Sequence, residues 1–120
     1  MSMKHALITI AREEIAPRFD MTAEVLIVPL DADALSENAR AERRHLVLAH
    51  VSGEELCDVV TRSGVALVVC GGIEEDYYHY LRWKRVAVIT DVIGPLEAVL
   101  QRLVSGKLKD GDRLYSGSET

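Results

Sequence analysis

Six consecutive apolar residues, Val65-Ala-Leu-Val-Val-Cys70, are followed at once by Gly71-Gly72. An uninterrupted apolar run of this length belongs to a strand covered on both faces, as in a parallel sheet. A parallel strand needs a crossover to its neighbour, usually a helix. A second run of the same kind, Arg85-Val-Ala-Val-Ile-Thr90, follows after a helical stretch. The second half of the chain is therefore expected to alternate helix and strand.

The remaining elements can be read around these two. His5-Ala-Leu-Ile-Thr-Ile-Ala11 is β-branched and apolar, as a buried strand requires. Ala16-Pro-Arg-Phe-Asp20 carries a proline that confines it to an edge or an irregular loop. Glu24–Leu30 and His45–His50 read as further strands, with a polar surface loop over Asp31–Arg44 between them. Ser52-Gly-Glu-Glu55 is a capping box, flanked by Val51 and Leu56 at the positions of a hydrophobic staple. The helix it opens ends at Gly64. A second helix is expected from Ile73 to Trp83, and a third from Pro95, with Leu96, Val99, Leu100, Leu103 and Val104 at helical spacing. Gly106 closes that helix, and a frayed polar tail is expected from Lys107. Three strands that can pair as a meander, followed by helix, strand, helix, strand, helix, predict an α/β fold. The expected form is a ribonuclease-H-like mixed sheet of about five strands flanked by about three helices. One domain over residues 1–108 and a polar C-terminal tail over 109–120 complete the expected organisation.

Charge and composition narrow the function classes. With 19 acidic against 14 basic side chains, the net charge of −5 argues against a nucleic-acid binder. No apolar run approaches the roughly 20 residues that cross a bilayer, so no membrane partner is expected. The first residues lack the apolar stretch of a signal peptide, and a cytoplasmic location is expected. Neither G-x-x-x-x-G-K-[ST] nor G-x-G-x-x-G occurs, and no G-x-S-x-G. The first strand carries no carboxylate for two-metal nuclease chemistry. Cys57 and Cys70 form no C-x-x-C pair, and the four histidines show no H-x-x-x-H spacing. His45 and His50, five apart in a strand, point to opposite faces. No enzymatic apparatus is thus visible.

In an open α/β sheet, ligands bind beyond the carboxyl ends of the parallel strands. Here those are the loops after Cys70 and Thr90. Gly71-Gly72 would let backbone approach a ligand closely, or would serve a tight strand-to-helix turn. Glu74, Glu75 and Asp76 fill the first turn of the next helix and would repel a bare anion. For a metal, Cys70 is the best candidate donor and His79 a weaker one.

Several segments resemble one family. These are Ile-Ala-Pro-Arg-Phe (Ile15 to Phe19), Glu-Val-Leu-Ile-Val (Glu24 to Val28) and Gly-Val-Ala-Leu-Val-Val-Cys-Gly-Gly-Ile (Gly64 to Ile73). The strand Lys-Arg-Val-Ala-Val-Ile and a last helix ending Val-Ser-Gly-Lys-Leu (Val104 to Leu108) continue the pattern. From about Lys4 to Leu108 the chain resembles the dinitrogenase iron–molybdenum cofactor biosynthesis family. That family comprises NifX-like proteins, the C-terminal domain of NifB-like proteins, and orange proteins that bind a molybdenum–copper cluster. The resemblance implies a ribonuclease-H-like fold and non-covalent carriage of an iron- or molybdenum-containing sulfide cluster or its precursor, without catalysis. It also implies cofactor donor and acceptor proteins as partners. Carried over by position, Arg18, Phe19, Cys70, Gly71 and Gly72 would bind the cofactor. Arg18 would offset cluster charge, and Cys70, if exposed, would supply a soft thiolate.

Aromatics make up 5% of the chain, yet Tyr77, Tyr78, Tyr80 and Trp83 fall within seven residues. They stand where the family favours small residues after C-G-G-I. On a helical wheel they cannot all face one sheet. This supports a second expectation: a member that has lost cofactor binding and acts as an interaction or regulatory module, with a homodimer formed through the Tyr77–Trp83 helix.

Overall fold

The computed structural model describes residues 4–30 and 42–115. Strands β1 (His5–Ala11), β2 (Glu14–Ile15), β3 (Glu24–Pro29) and β4 (Arg44–Val47) come first, with a single 3-10 turn at Phe19–Met21. Helix α1 (Gly53–Ser63), β5 (Leu67–Val69), α2 (Glu75–Trp83), β6 (Ala87–Ile89) and α3 (Leu96–Val104) follow in alternation. The main strands lie in the order β4-β3-β1-β5-β6. β3 runs antiparallel to both β1 and β4, whereas β5 and β6 extend the sheet in parallel from β1. This is the mixed ribonuclease-H-like arrangement that the element order predicts. Among the described residues, no helix is long and apolar enough to cross a membrane.

Strand alternation divides the core between the two sheet faces. Leu7, Val25, Ile27 and Val68 pack with Phe19, with Leu56 and Val60 of α1 and with Leu81 of α2. Ala6, Ile8, Leu26, Val28 and Val69 pack instead with Val99 and Leu100 of α3. The serine half of the expected capping box is present, the Ser52 hydroxyl accepting from the Glu55 amide at 3.0 Å, and Gly64 closes the helix at φ 67°, whereas Val51 of the expected staple is exposed.

The differences are local. The sheet has six strands because the charged turn after β1 is a two-residue hairpin. Its Arg12 and Glu13 both hold positive φ, 55° and 67°, in place of the glycine or asparagine such a turn favours. β5 and β6 are shorter than their apolar runs, by two residues at the start and one at the end of each. The expected loop over Asp31–Arg44 falls mostly on residues 31–41, outside the described residues, and Arg44 already belongs to β4. The tail is ordered as far as it is described. Ile93 donates to the Asp112 carbonyl at 2.9 Å and Leu114 to that of Ile93 at 2.7 Å, so 111–114 runs beside the β6–α3 loop.

Candidate functional site

Beyond the carboxyl ends of β5 and β6 the chain builds a cleft of about 570 Å³. One wall is the segment from Glu14 to Pro17, the floor is Gly71-Gly72, and the other wall is Asp91–Ile93 with Gly111 and Arg113. The first wall lies across the end of β5 as a strap. The Gly72 amide donates to the Pro17 carbonyl and the Phe19 amide to that of Gly72, both at 2.8 Å. The strap comes so close that a Cβ on Gly71 would stand 2.5 Å from the Ala16 carbonyl oxygen and 2.6 Å from that of Pro17. Gly71 is therefore glycine for the sake of the protein's own backbone. At Gly72 the nearest such contact is an ordinary 3.5 Å. On the far wall, Asp91 holds φ 60°, and its amide donates to the Gly71 carbonyl at 2.9 Å.

The candidate residues divide between surface and support. Arg18 is 57% exposed and forks onto Asp20, Nε to Oδ1 at 3.1 Å and Nη2 to Oδ2 at 3.0 Å. With Gly72, Ile73 and Glu74 it lines a smaller depression of about 260 Å³ across the strap from the cleft. Phe19 is fully buried, its ring 5.9 Å from that of Tyr77. Cys70 is also fully buried. Burial, with the carboxylates of Asp91 and Asp110 adding to it, pushes its thiol up to about 12. Cys57 is a buried side chain of α1, as a free cysteine usually is, and burial and Glu54 raise it to about 11. His79 is exposed on α2, edge-on to Tyr78 at 5.5 Å. The structure thus puts Gly71 and Gly72 at the cleft floor, sets Arg18 in the depression across the strap, and buries Phe19 and Cys70.

Among the described residues, no group of three or more His, Cys, Asp and Glu side chains could hold a metal ion. The cleft lining presents backbone, apolar side chains, two carboxylates and Arg113, and no cysteine, to whatever occupies it. Arg113 and Glu14 are the groups sequence reasoning missed. Arg113 stands in what reads as a frayed tail, although the isolated apolar Leu108 and Leu114, buried and half-buried against the α3 face, signal that the tail docks.

Fold and site together define a ribonuclease-H-like domain with a ligand-sized cleft at the carboxyl ends of its parallel strands. The chain belongs to the family described as dinitrogenase iron-molybdenum cofactor, which it matches over residues 1–106. Solved structures share the fold. PH0822 superposes with a TM-score of 0.76 at 16% identity, over 88% of this chain and 93% of that one. The apo form of the orange protein from Desulfovibrio gigas gives 0.68 at 18% identity, over 91% and 93%. MJ0327 from Methanococcus jannaschii gives 0.69 at 17%, over 92% and 94%. No curated protein matches the chain.

Proposed function

We propose that this chain is a NifX-like accessory domain that carries an iron- and/or molybdenum–sulfur cofactor, or its precursor, between donor and acceptor proteins without catalysis of its own. The observation that carries this reading is the cleft itself. In a chain of this family, the strap, Gly71-Gly72 and the 91–93 loop build a ligand-sized cavity where an α/β sheet binds its ligands. Arg113 is the positive group of the cleft, against Glu14 and Asp91, while Arg18 across the strap is forked onto Asp20 beside Glu74. A cleft lined by one cation and two carboxylates offers little to a strongly anionic guest and suits a cluster of low net charge, held chiefly by shape. Gly71, Gly72 and the two arginines meet the cargo, and Phe19 and Cys70 hold the floor in place from beneath.

The test is anaerobic exposure of the metal-free protein to molybdate, iron and sulfide or to a preformed cluster, followed by desalting, metal analysis and visible absorption. Coloured, metal-containing protein is expected, with retention weakened about tenfold by Arg113→Ala or Arg18→Ala and less by Cys70→Ser. A colourless product that takes up neither form would overturn the reading.

A further inference from the structure

Helix α2 carries its aromatic cluster away from the cleft. Tyr77 turns inward. A Cβ on Gly53 would fall within its ring, and its hydroxyl donates to Glu54 Oε2 at 3.1 Å, which ties α2 to α1. Trp83 turns outward and is 75% exposed, beside Tyr80 at 38% with ring centroids 6.4 Å apart. Lys84 Nζ lies over both rings, 5.0 Å from the Trp83 centroid and 5.7 Å from that of Tyr80. An indole this exposed, with an ammonium group over its ring, offers the kind of aromatic anchor that interfaces bury. Beside it, between α1 and α2, runs a groove of about 450 Å³ walled by Tyr77 and Tyr80 and rimmed by Glu54, Asp58 and Asp76.

We propose that this face is an isologous dimer interface: α2 of a second copy of the chain packs antiparallel on α2 about a two-fold axis at Tyr80, and each Trp83–Lys84 enters the other's groove. Charge and register both select this occupant. The exposed end of α2 before Tyr80 is acidic (Glu74, Glu75, Asp76), and the end after it is basic (Arg82, Lys84, Arg85). Asp76 and Lys84 are each four residues from Tyr80, about 6 Å along the axis. The two-fold therefore sets Asp76 of either copy against Lys84 of the other. The same operation sets Trp83 opposite Tyr77, which walls the groove. A single surface thus supplies both knob and hole, as a closed two-fold contact demands. The inference is independent of the cargo proposed for the cleft, whose lining shares no residue with this groove.

Sedimentation velocity and light scattering on the full chain, from about 1 to 500 µM, test it by mass action. A monomer–dimer equilibrium is expected, in the micromolar range because a helix and a groove bury less than a standard interface. Trp83→Ala should weaken it at least about 30-fold. Asp76→Lys and Lys84→Asp should each weaken it about tenfold by placing like charges together, and the double swap should return it to within about threefold of the parent. Circular dichroism and thermal melting confirm that each variant is folded. A parent that stays monomeric throughout, whether or not another protein binds this face, overturns the proposal. So does a dimer indifferent to Trp83→Ala, and so do charge variants whose double swap fails to restore association.

Discussion

The carbonyl oxygens of Ala16 and Pro17 stand where a side chain at position 71 would begin, and both belong to backbone that is hydrogen-bonded in place. Neither can rotate away as a flexible side chain would, so Gly71→Ala must lift the strap from the end of β5. Gly71→Ala is expected to lose about 2 kcal/mol in urea denaturation, whereas Gly72→Ala should stay within about 0.5 kcal/mol of the parent. Equal effects would mean that the strap does not press on Gly71. The neighbouring thiol makes a second prediction. Cys70 ionises near 9.0 when exposed and near 12 when folded. Above pH 9 the unfolded chain therefore sheds a proton that the folded chain keeps. Stability from this group is intact below pH 9 and is lost as pH rises toward 12. Melting temperatures should fall across that window and fall less steeply in Cys70→Ala, measured against each protein's own value at pH 8. In the native protein at pH 8, a disulfide reagent should react with Cys70 far more slowly than with the same thiol in urea.

At the scale of elements, the two helix-bearing faces are held differently. α1 and α2 meet through Tyr77, Gly53 and Phe19 over an apolar core. The approach to β4 is joined to α3 by Arg43, whose Nη1 lies 3.6 Å from Glu97 Oε2, with a side chain only 14% exposed. Its Nε and Nη2 are buried and have no hydrogen-bond partner among the described residues. These form the edge that Arg18 uses to fork onto Asp20. A guanidinium desolvated on that edge costs stability, because each unpaired donor loses water and gains nothing. Arg43→Met keeps the apolar stem and removes the donors. It is expected to leave stability unchanged or to raise it by about 1 kcal/mol in thermal or urea unfolding. A loss of more than about 1 kcal/mol would show that the arginine satisfies a partner in solution.

For the whole molecule, what could be read from the sequence followed from periodicity, and what could not followed from long-range contact. The apolar runs of β1, β3, β5 and β6 and the capping box of α1 are local signals, and they yield element order and sheet direction. The position of the loops after Cys70 and Thr90 at the mouth of the cleft was legible, because strand direction dictates where they lie. The burial of Cys70 follows from its apolar run, but the strap that crosses the next residue, Gly71, was not legible, since it starts about 55 residues away in sequence. Nor was the second wall of the cleft. Lys109-Asp-Gly-Asp-Arg113 looks like solvated chain, yet Thr90 donates its amide to Asp110 Oδ1 at 2.9 Å and Gly111 donates to the Thr90 carbonyl at 2.9 Å. Leu114 covers Gly94, where φ is 147° and a Cβ would meet the Leu114 carbonyl oxygen at 2.6 Å. A chain ending at Leu108 would thus keep every strand and helix described but lose Gly111 and Arg113 from the cleft and Leu114 from the α3 face. That truncation is expected to remain folded by circular dichroism, to lose about 2 kcal/mol of stability, and to hold cluster at least about tenfold less well than the full chain. Arg113→Ala in the full chain separates the two losses: it should reduce retention while leaving the melting temperature within a few degrees. A truncated chain that holds cluster as tightly as the full one would remove residues 109–115 from the site and leave the strap and Asp91–Ile93 as its walls over Gly71-Gly72.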